Sequence, residues 1–312
     1  MRRYRGLLIG NATFPRDPHA LPDLHGPLVD IAQLKQALTD DRVGLFRADD
    51  LQEIPDHGIQ DIRERVDELF TTAAREDVLL LYYSGHGQLD ELGALYLCAK
   101  DTSTSRLRAS GLSAIEINNM IDGSAATTTV VILDCCYSGA FKGTARSAPT
   151  AGKGRYVLTS SRSTQLARAA TDHSQPSPFT GQLVRGLHHA EATGHLTIVE
   201  LYRQVHRWMI EDAIITPQLR IAGEGDVAIA HRPNPPLPTP AATPAPAPVS
   251  ARNPLSRRTV LAGVLGAAAL AGGTTTTVLL SENVTSGTTP PHDSTSRTPA
   301  PTPRTHIAVK AV

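Results

Sequence analysis

Several things are scarce in this chain of 312 residues. It has three cysteines, Cys98, Cys135 and Cys136, too few for a disulfide framework, so a reducing compartment is expected. Nor do those thiols have the paired spacing of a structural zinc site. Excess charge is absent too, with 30 Lys and Arg against 30 Asp and Glu. The balance is uneven along the chain. Seven basic and two acidic residues lie beyond position 230, which leaves 23 basic and 28 acidic before it. An acidic globular part argues against nucleic acid as the main ligand, because neutralising phosphates needs clustered Lys and Arg. The opening "MRRYRGLLIGNATF" has an apolar run of only four residues, Leu7 to Gly10. That is too short for a signal peptide and reads as a first strand. "GKG" at 152–154 lacks the spacing of a phosphate loop.

From residue 4 to about 230, short apolar runs alternate with amphipathic segments. Strands are predicted at 4–10, 43–47, 77–84, 94–98, 128–134, 155–160 and 227–230. Helices are predicted at 25–39, 58–74, 112–123, 178–190 and 197–213. Near-continuous apolar strands separated by helices indicate an α/β fold, a three-layer sandwich whose mostly parallel central sheet is covered on both faces.

The character changes after residue 230. Residues 231–256 form a Pro/Ala-rich linker, and 282–312 a Thr/Pro/Ser-rich tail with a disordered composition. Between them, 257–281 contains 22 consecutive uncharged residues (259–280) directly after Arg257 and Arg258. That length can span a bilayer once, and the flanking arginines would set the N-terminal domain in the cytoplasm. "SRRTVL" also resembles a twin-arginine export motif, which behind a folded domain would act as an anchor. The alternative is an Ala/Gly/Thr tail that never inserts.

Chemistry concentrates in two stretches of one design. "DVLLLYYSGHG" (77–87) and "VVILDCCYSG" (130–139) are apolar strands that end abruptly in small and reactive residues. In open parallel sheets, functional groups gather at the carboxyl ends of strands. Strands about 5 to 10 Å apart could therefore bring His86 to Cys135 or Cys136. A thiol beside an imidazole is a nucleophile beside its base, and glycines around His86 leave backbone N–H groups accessible to an oxyanion. Strand periodicity does not choose between the two thiols. Alone, a cysteine at a buried strand end is usually a core residue, and that reading is given to Cys98. His188 and His189 lie on a helix without a partner motif and read as structural.

The two stretches resemble the signature blocks of the caspase/metacaspase clan of cysteine peptidases, especially the bacterial orthocaspases. The metacaspase nucleophile pattern Asp-x-Cys-x-Ser-Gly is matched by Asp134, Cys136, Ser138 and Gly139. The 50-residue step from His86 to Cys136 is the caspase spacing. The likeness runs through "YRGLLIG", "LHGPLVDIAQLKQAL", "VLTSSRSTQLA" and "SPFTGQLVRGL", so 1–230 would be a caspase-like peptidase domain. The resemblance implies that Cys136 is the nucleophile, that His86 is the acid/base, and that the N–H groups of Gly87 and Cys136 form the oxyanion hole. Cys135 is left to pack. Asp30 and Asp134, with Ser84, would bind substrate in a pocket for Arg or Lys, since paired carboxylates suit a guanidinium. Lys142, Arg146 and Lys153 in loop 139–154 would be self-processing sites.

Two positions depart from the pattern: Pro27 replaces a cysteine, and Tyr137 stands where many relatives have histidine. No cofactor is implied. Of the aspartates with which calcium-dependent relatives hold the ion, Asp101 could match one. The pair further on is replaced around Glu116 to Met120, which counts against calcium activation. The expected partners are protein or peptide substrates with basic residues, together with a membrane and a regulatory protein. A catalytically silent, membrane-tethered scaffold is the competing class, and another Cys–His hydrolase or transferase a third. The intact Cys/His pair and acidic pocket favour the peptidase, since a scaffold needs neither.

Overall fold

Branched aliphatic runs alternate side by side along the strands, and each alternate set meets a different layer of helices. The computed structural model describes residues 2–141, 154–160, 174–189, 194–212, 216–223 and 225–232. The elements are, in order, β1 (Tyr4–Gly10), α1 (Pro27–Leu38), β2 (Leu51–Pro55), α2 (Ile59–Thr71), β3 (Val78–Ser84), β4 (Gly87–Leu89), β5 (Leu95–Cys98), α3 (Leu107–Ser110), β6 (Gly111–Ser113), α4 (Ala114–Gly123) and β7 (Thr128–Asp134). There follow β8 (Gly154–Thr159), α5 (Pro178–His188), β9 (Gly194–Thr197), α6 (Ile198–Glu211), β10 (Gln218–Ala222) and β11 (Ala228–Arg232). The chain divides into two units, Met1–Ala245 and Pro246–Val312, and every described residue belongs to the first. The segment 257–281, the tail, and Lys142, Arg146 and Lys153 lie outside the described residues. Among the described residues no helix is long and apolar enough to cross a membrane.

The main sheet has the order β10-β8-β7-β3-β1-β2. Five of its strands are parallel, and β10 closes one edge antiparallel to β8. Leu79, Leu81 and Tyr83 of β3, with Val131 and Leu133 of β7, pack against α2 and α4. Val78, Leu80, Tyr82, Val130 and Ile132 pack against α1, α5 and α6. All seven residues of β3 are buried, as a parallel sheet with helices on both faces requires. Each such aliphatic side chain contributes about 1.5–3 kcal/mol through burial. The same alternation sends Asp134 to the α1/α5 face and Cys135 to the α2/α4 face.

Local signals set the helix starts. Thr197 and Glu200 form a capping box at α6, and Ser177 caps α5 with Pro178 following it. Residues 43–47 differ from the predicted strand. They form a turn with a single bridge from Gly44 to Ala230, and the edge strand is β2 instead. In β2 only Leu51 and Ile54 are buried. Its outward polar residues, Gln52 and Glu53, hide the strand pattern, whereas Val43 and Phe46 look strand-like because they are buried in a turn. The predicted strand 94–98 is β5, and it belongs to a separate antiparallel sheet, β4-β5-β6. The helix expected from 112 begins at Ala114, because Gly111–Ser113 pairs with β5. The linker expected from 231 begins two residues inside β11.

Candidate active site

β3 and β7 are neighbours, in a register that sets Ser84 opposite Asp134. Their ends are therefore level and about 4.8 Å apart, so the residues that follow each strand share one edge. The loop after β3 folds over the end of β7, where Gly85 N–H donates to the Asp134 carbonyl at 3.3 Å. A Cβ on Gly87 would overlap the Cys136 carbonyl oxygen and lie 3.1 Å from Cys135 Sγ. Only glycine permits that approach.

After β7 the backbone turns sharply. Tyr137 takes a left-handed conformation, φ 57°, which strains a bulky side chain by about 1–3 kcal/mol. Ala140 N–H closes the turn on the Tyr137 carbonyl at 2.8 Å. This turn separates the two thiols: Cys135 is 1% exposed in the core, and Cys136, past the strand end, is half-buried. Burial pushes the Cys98 thiol up to about 12 and the Cys135 thiol well above its ordinary value. Neither ionises at neutral pH.

His86 is held by the loop after β1. Its Nε2 lies 2.7 Å from the Pro22 carbonyl oxygen. A carbonyl can only accept, so Nε2 carries the proton and Nδ1 of the neutral ring has the lone pair. The Phe14 ring packs against the imidazole, with centroids 4.8 Å apart. Burial lowers the His86 pKa, outweighing the Pro22 bond, and so favours the neutral base. The loop is itself anchored: Ala12 and Thr13 N–H donate to Asp56 Oδ1 at 2.7 and 3.0 Å, and Phe14 N–H donates to Asp23 at 3.2 Å. Behind the histidine, the Tyr83 hydroxyl lies 2.8 Å from the His86 carbonyl and 2.7 Å from that of Cys98.

Asp30, Ser84 and Asp134 come together on the opposite face of the strand ends. Asp30 and Asp134 are 0% and 5% exposed, so Asp30 is no surface carboxylate of its helix. Ser84 Oγ donates to Asp30 Oδ2 at 2.7 Å, and Ser177 N–H donates to Asp30 Oδ1 at 2.7 Å. Asp134 Oδ2 accepts from the hydroxyls of Ser177 and, at 2.8 Å, Thr180. Burial and then the charge of Asp134 raise the Asp30 pKa to about 8, and burial raises Asp134 as well. Burial and mutual repulsion therefore both favour a protonated form within this pair.

The structure thus gathers His86, Gly87 and Cys136 at one edge of the sheet, beside the cluster of Asp30, Ser84 and Asp134. Sequence reasoning did not identify Ser177, Thr180, Phe14 or the Pro22 carbonyl. The Ser-Pro start of "SPFT" marks a helix cap at Ser177, but no local signal tells which carboxylate its hydroxyl meets. A backbone carbonyl has no sequence signature at all. Asp101, the candidate calcium match, caps α2 by accepting from Ile59 N–H at 2.8 Å. Among the described residues no group of three or more His, Cys, Asp or Glu is arranged to hold a metal ion. His189, at the end of α5, packs edge-on against Trp208.

Thiol chemistry offers a direct check. Iodoacetamide on the native full chain, followed by mass mapping, is expected to label Cys136, with Cys98 and Cys135 reacting only after denaturation. Equal native labelling of all three would contradict the burial pattern.

The family model described as "Caspase domain" matches residues 3–220. Among solved structures, a protein from Geobacter sulfurreducens is similar with a TM-score of 0.54 and 16% identity, over 75% of this chain and 98% of that one. Caspase-1 from Spodoptera frugiperda is similar with a TM-score of 0.54 and 16% identity, over 73% and 92%. At that identity the two structures speak for the fold alone. No curated protein matches the sequence.

Proposed function

The chain belongs to the caspase-domain family of cysteine peptidases, and from that premise we propose that it is an endopeptidase cutting after Arg or Lys through a Cys136–His86 dyad. The observation that carries the reading is the contact of Gly87 with the Cys136 backbone at the paired ends of β3 and β7. It puts the loop bearing the imidazole directly against the turn bearing the thiol.

In the proposed reaction the Cys136 proton passes to Nδ1 of His86, the nitrogen left unprotonated by the Pro22 bond. The thiolate then attacks the scissile carbonyl carbon. Charge on the carbonyl oxygen is met by the N–H groups of Gly87 and Cys136, two fixed donors that cost no reorganisation. Collapse of the tetrahedral species breaks the C–N bond, and the proton on His86 goes to the departing amine. Water, deprotonated by His86, then splits the thioester and restores the thiol.

Asp30 and Asp134 are proposed to receive the basic side chain, with Ser84 fixing Asp30. A guanidinium binds two ionised carboxylates better than a pair sharing one proton. Because the Asp30 pKa is raised, the ionised pair is depleted below about 8 and gained above it. Tight binding of a basic residue therefore expels a proton. No metal is assigned a role. The segment 257–281 is proposed to hold the domain at the cytoplasmic face of a membrane, where a regulatory partner would meet it, and loop 139–154 is proposed as a site of self-processing.

Full-length protein is expected to cleave fluorogenic peptides ending in Arg and to spare those ending in Asp. Cys136→Ala should reduce kcat/KM by at least about 10³-fold, Asp134→Asn by about 10²-fold, and Cys135→Ala should stay active. KM for the Arg peptide should fall as pH rises through about 8. Undiminished turnover in Cys136→Ala would remove the nucleophile, and equal cleavage after Asp would remove the pocket assignment. For the anchor, full-length protein is expected in the carbonate-resistant membrane fraction; recovery in the soluble fraction would exclude it.

A further inference from the structure

One residue outside the family's signature blocks touches both carboxylates. Ser177, 5% exposed at the cap of α5, gives its backbone N–H to Asp30 Oδ1 at 2.7 Å and its hydroxyl to Asp134 Oδ2. Its Oγ also accepts Thr180 N–H at 3.0 Å, and with Asp134 ionised the carboxylate can only accept, so the hydroxyl proton points to it. Thr180, 0% exposed, donates its own hydroxyl to Asp134 Oδ2 at 2.8 Å. In that ionised state the contact between Tyr82 and Thr180 hydroxyls, 2.6 Å, is donated by Tyr82, since the single Thr180 proton is given to Asp134. The result is a one-way chain of donors, from Tyr82 through Thr180 to Asp134, with Ser177 bridging from Asp134 to Asp30.

We infer that Ser177, supported by Thr180, is a specificity-positioning residue: it fixes the spacing and plane of the Asp30 and Asp134 carboxylates and thereby selects a guanidinium over an ammonium. The inference rests on the basic-specificity reading above. A guanidinium is a planar fork that needs acceptors in a set geometry, whereas an ammonium is a compact charge that tolerates disordered ones. A carboxylate that loses a buried donor can rotate, which penalises the fork more than the point charge. Ser177 also biases ionisation, since a hydroxyl donated to a carboxylate favours its charged form. The titratable groups facing the pair are the carboxylates themselves, from α1 and β7, and Tyr82 of β3, whose pKa burial and the two aspartates raise. From α5 the facing groups are the Ser177 and Thr180 hydroxyls, and from β3 also that of Ser84; none of these titrates in the working range.

The test uses full-length protein and matched peptides differing only in Arg or Lys before the cleaved bond, from pH 6 to 9.5. Ser177→Ala is expected to raise KM for the Arg peptide roughly tenfold with kcat held, to bring the Arg-to-Lys ratio of kcat/KM toward one, and to move the alkaline fall of KM to higher pH. Ser177→Thr, which keeps hydroxyl and cap, should restore all three. Thr180→Val, which leaves the cap intact, should shift ratio and profile in the same direction and serves if Ser177→Ala does not fold. An unchanged Arg-to-Lys ratio and pH profile in a folded Ser177→Ala or Thr180→Val would overturn the inference and leave Ser177 as a helix cap. In that case wild-type cleavage after Arg would keep the underlying reading intact. A wild-type protein that cuts neither basic peptide would overturn both together.

Discussion

The parallel pairing of β3 with β7, in the register that sets Ser84 opposite Asp134, governs everything at the carboxyl edge of the sheet. It delivers His86 and Cys136 to one place and, through alternation, consigns Asp134 and Ser84 to the α1/α5 side while Cys135 goes to the α2/α4 side. A slip of one residue would exchange those faces, burying a carboxylate among the aliphatics of α2 and α4. The register is protected because both faces of both strands are packed, so no displaced alignment keeps the two cores. Adjacent residues, Asp134 and Cys135, thus acquire different fates from geometry alone.

Rigidity on one side of the strand ends supports strain on the other. Tyr137 holds a left-handed backbone, Gly87 lies against the Cys136 carbonyl, and two carboxylates sit buried within one hydrogen-bonded cluster. Each costs stability on its own. Each is tolerable because the sheet beneath it is closed on both faces, and because both carboxylates accept hydrogen bonds from buried donors. The buried acids and the buried imidazole also respond alike to burial: it lowers the His86 pKa and raises those of Asp30 and Asp134, favouring the uncharged form of each.

The architecture was largely readable from the sequence where burial is two-sided. Strands β1, β3, β7 and β8 carry aliphatic runs that only a covered parallel sheet explains. The edges were harder. β2 exposes Gln52 and Glu53, and β10 carries Arg220 among partly exposed neighbours, so both lack the apolar run. Residues 43–47 misled because a buried turn can be as apolar as a strand. At the site, the two strand-end motifs and their spacing pointed to His86 and Cys136, while the burial that distinguishes Cys135 from Cys136 comes from the turn at Tyr137. What lay beyond sequence was what comes from afar: the Pro22 carbonyl that orients His86 across 64 residues and the Ser177 hydroxyl that reaches Asp134 across 43. Neither contact has a local pattern, since each depends on how loop and helix return to the sheet.

Affinity labelling puts the central claim, a Cys136 nucleophile beside a pocket for basic residues, to its most direct test. A short peptide ending in an arginyl acyloxymethyl ketone is incubated with the full-length protein, and the modified residue is identified by peptide mapping. The expected result is a single adduct on Cys136, formed far faster than with the aspartyl analogue. An adduct on Cys135 or Cys98, or equal rates for the two reagents, would contradict it.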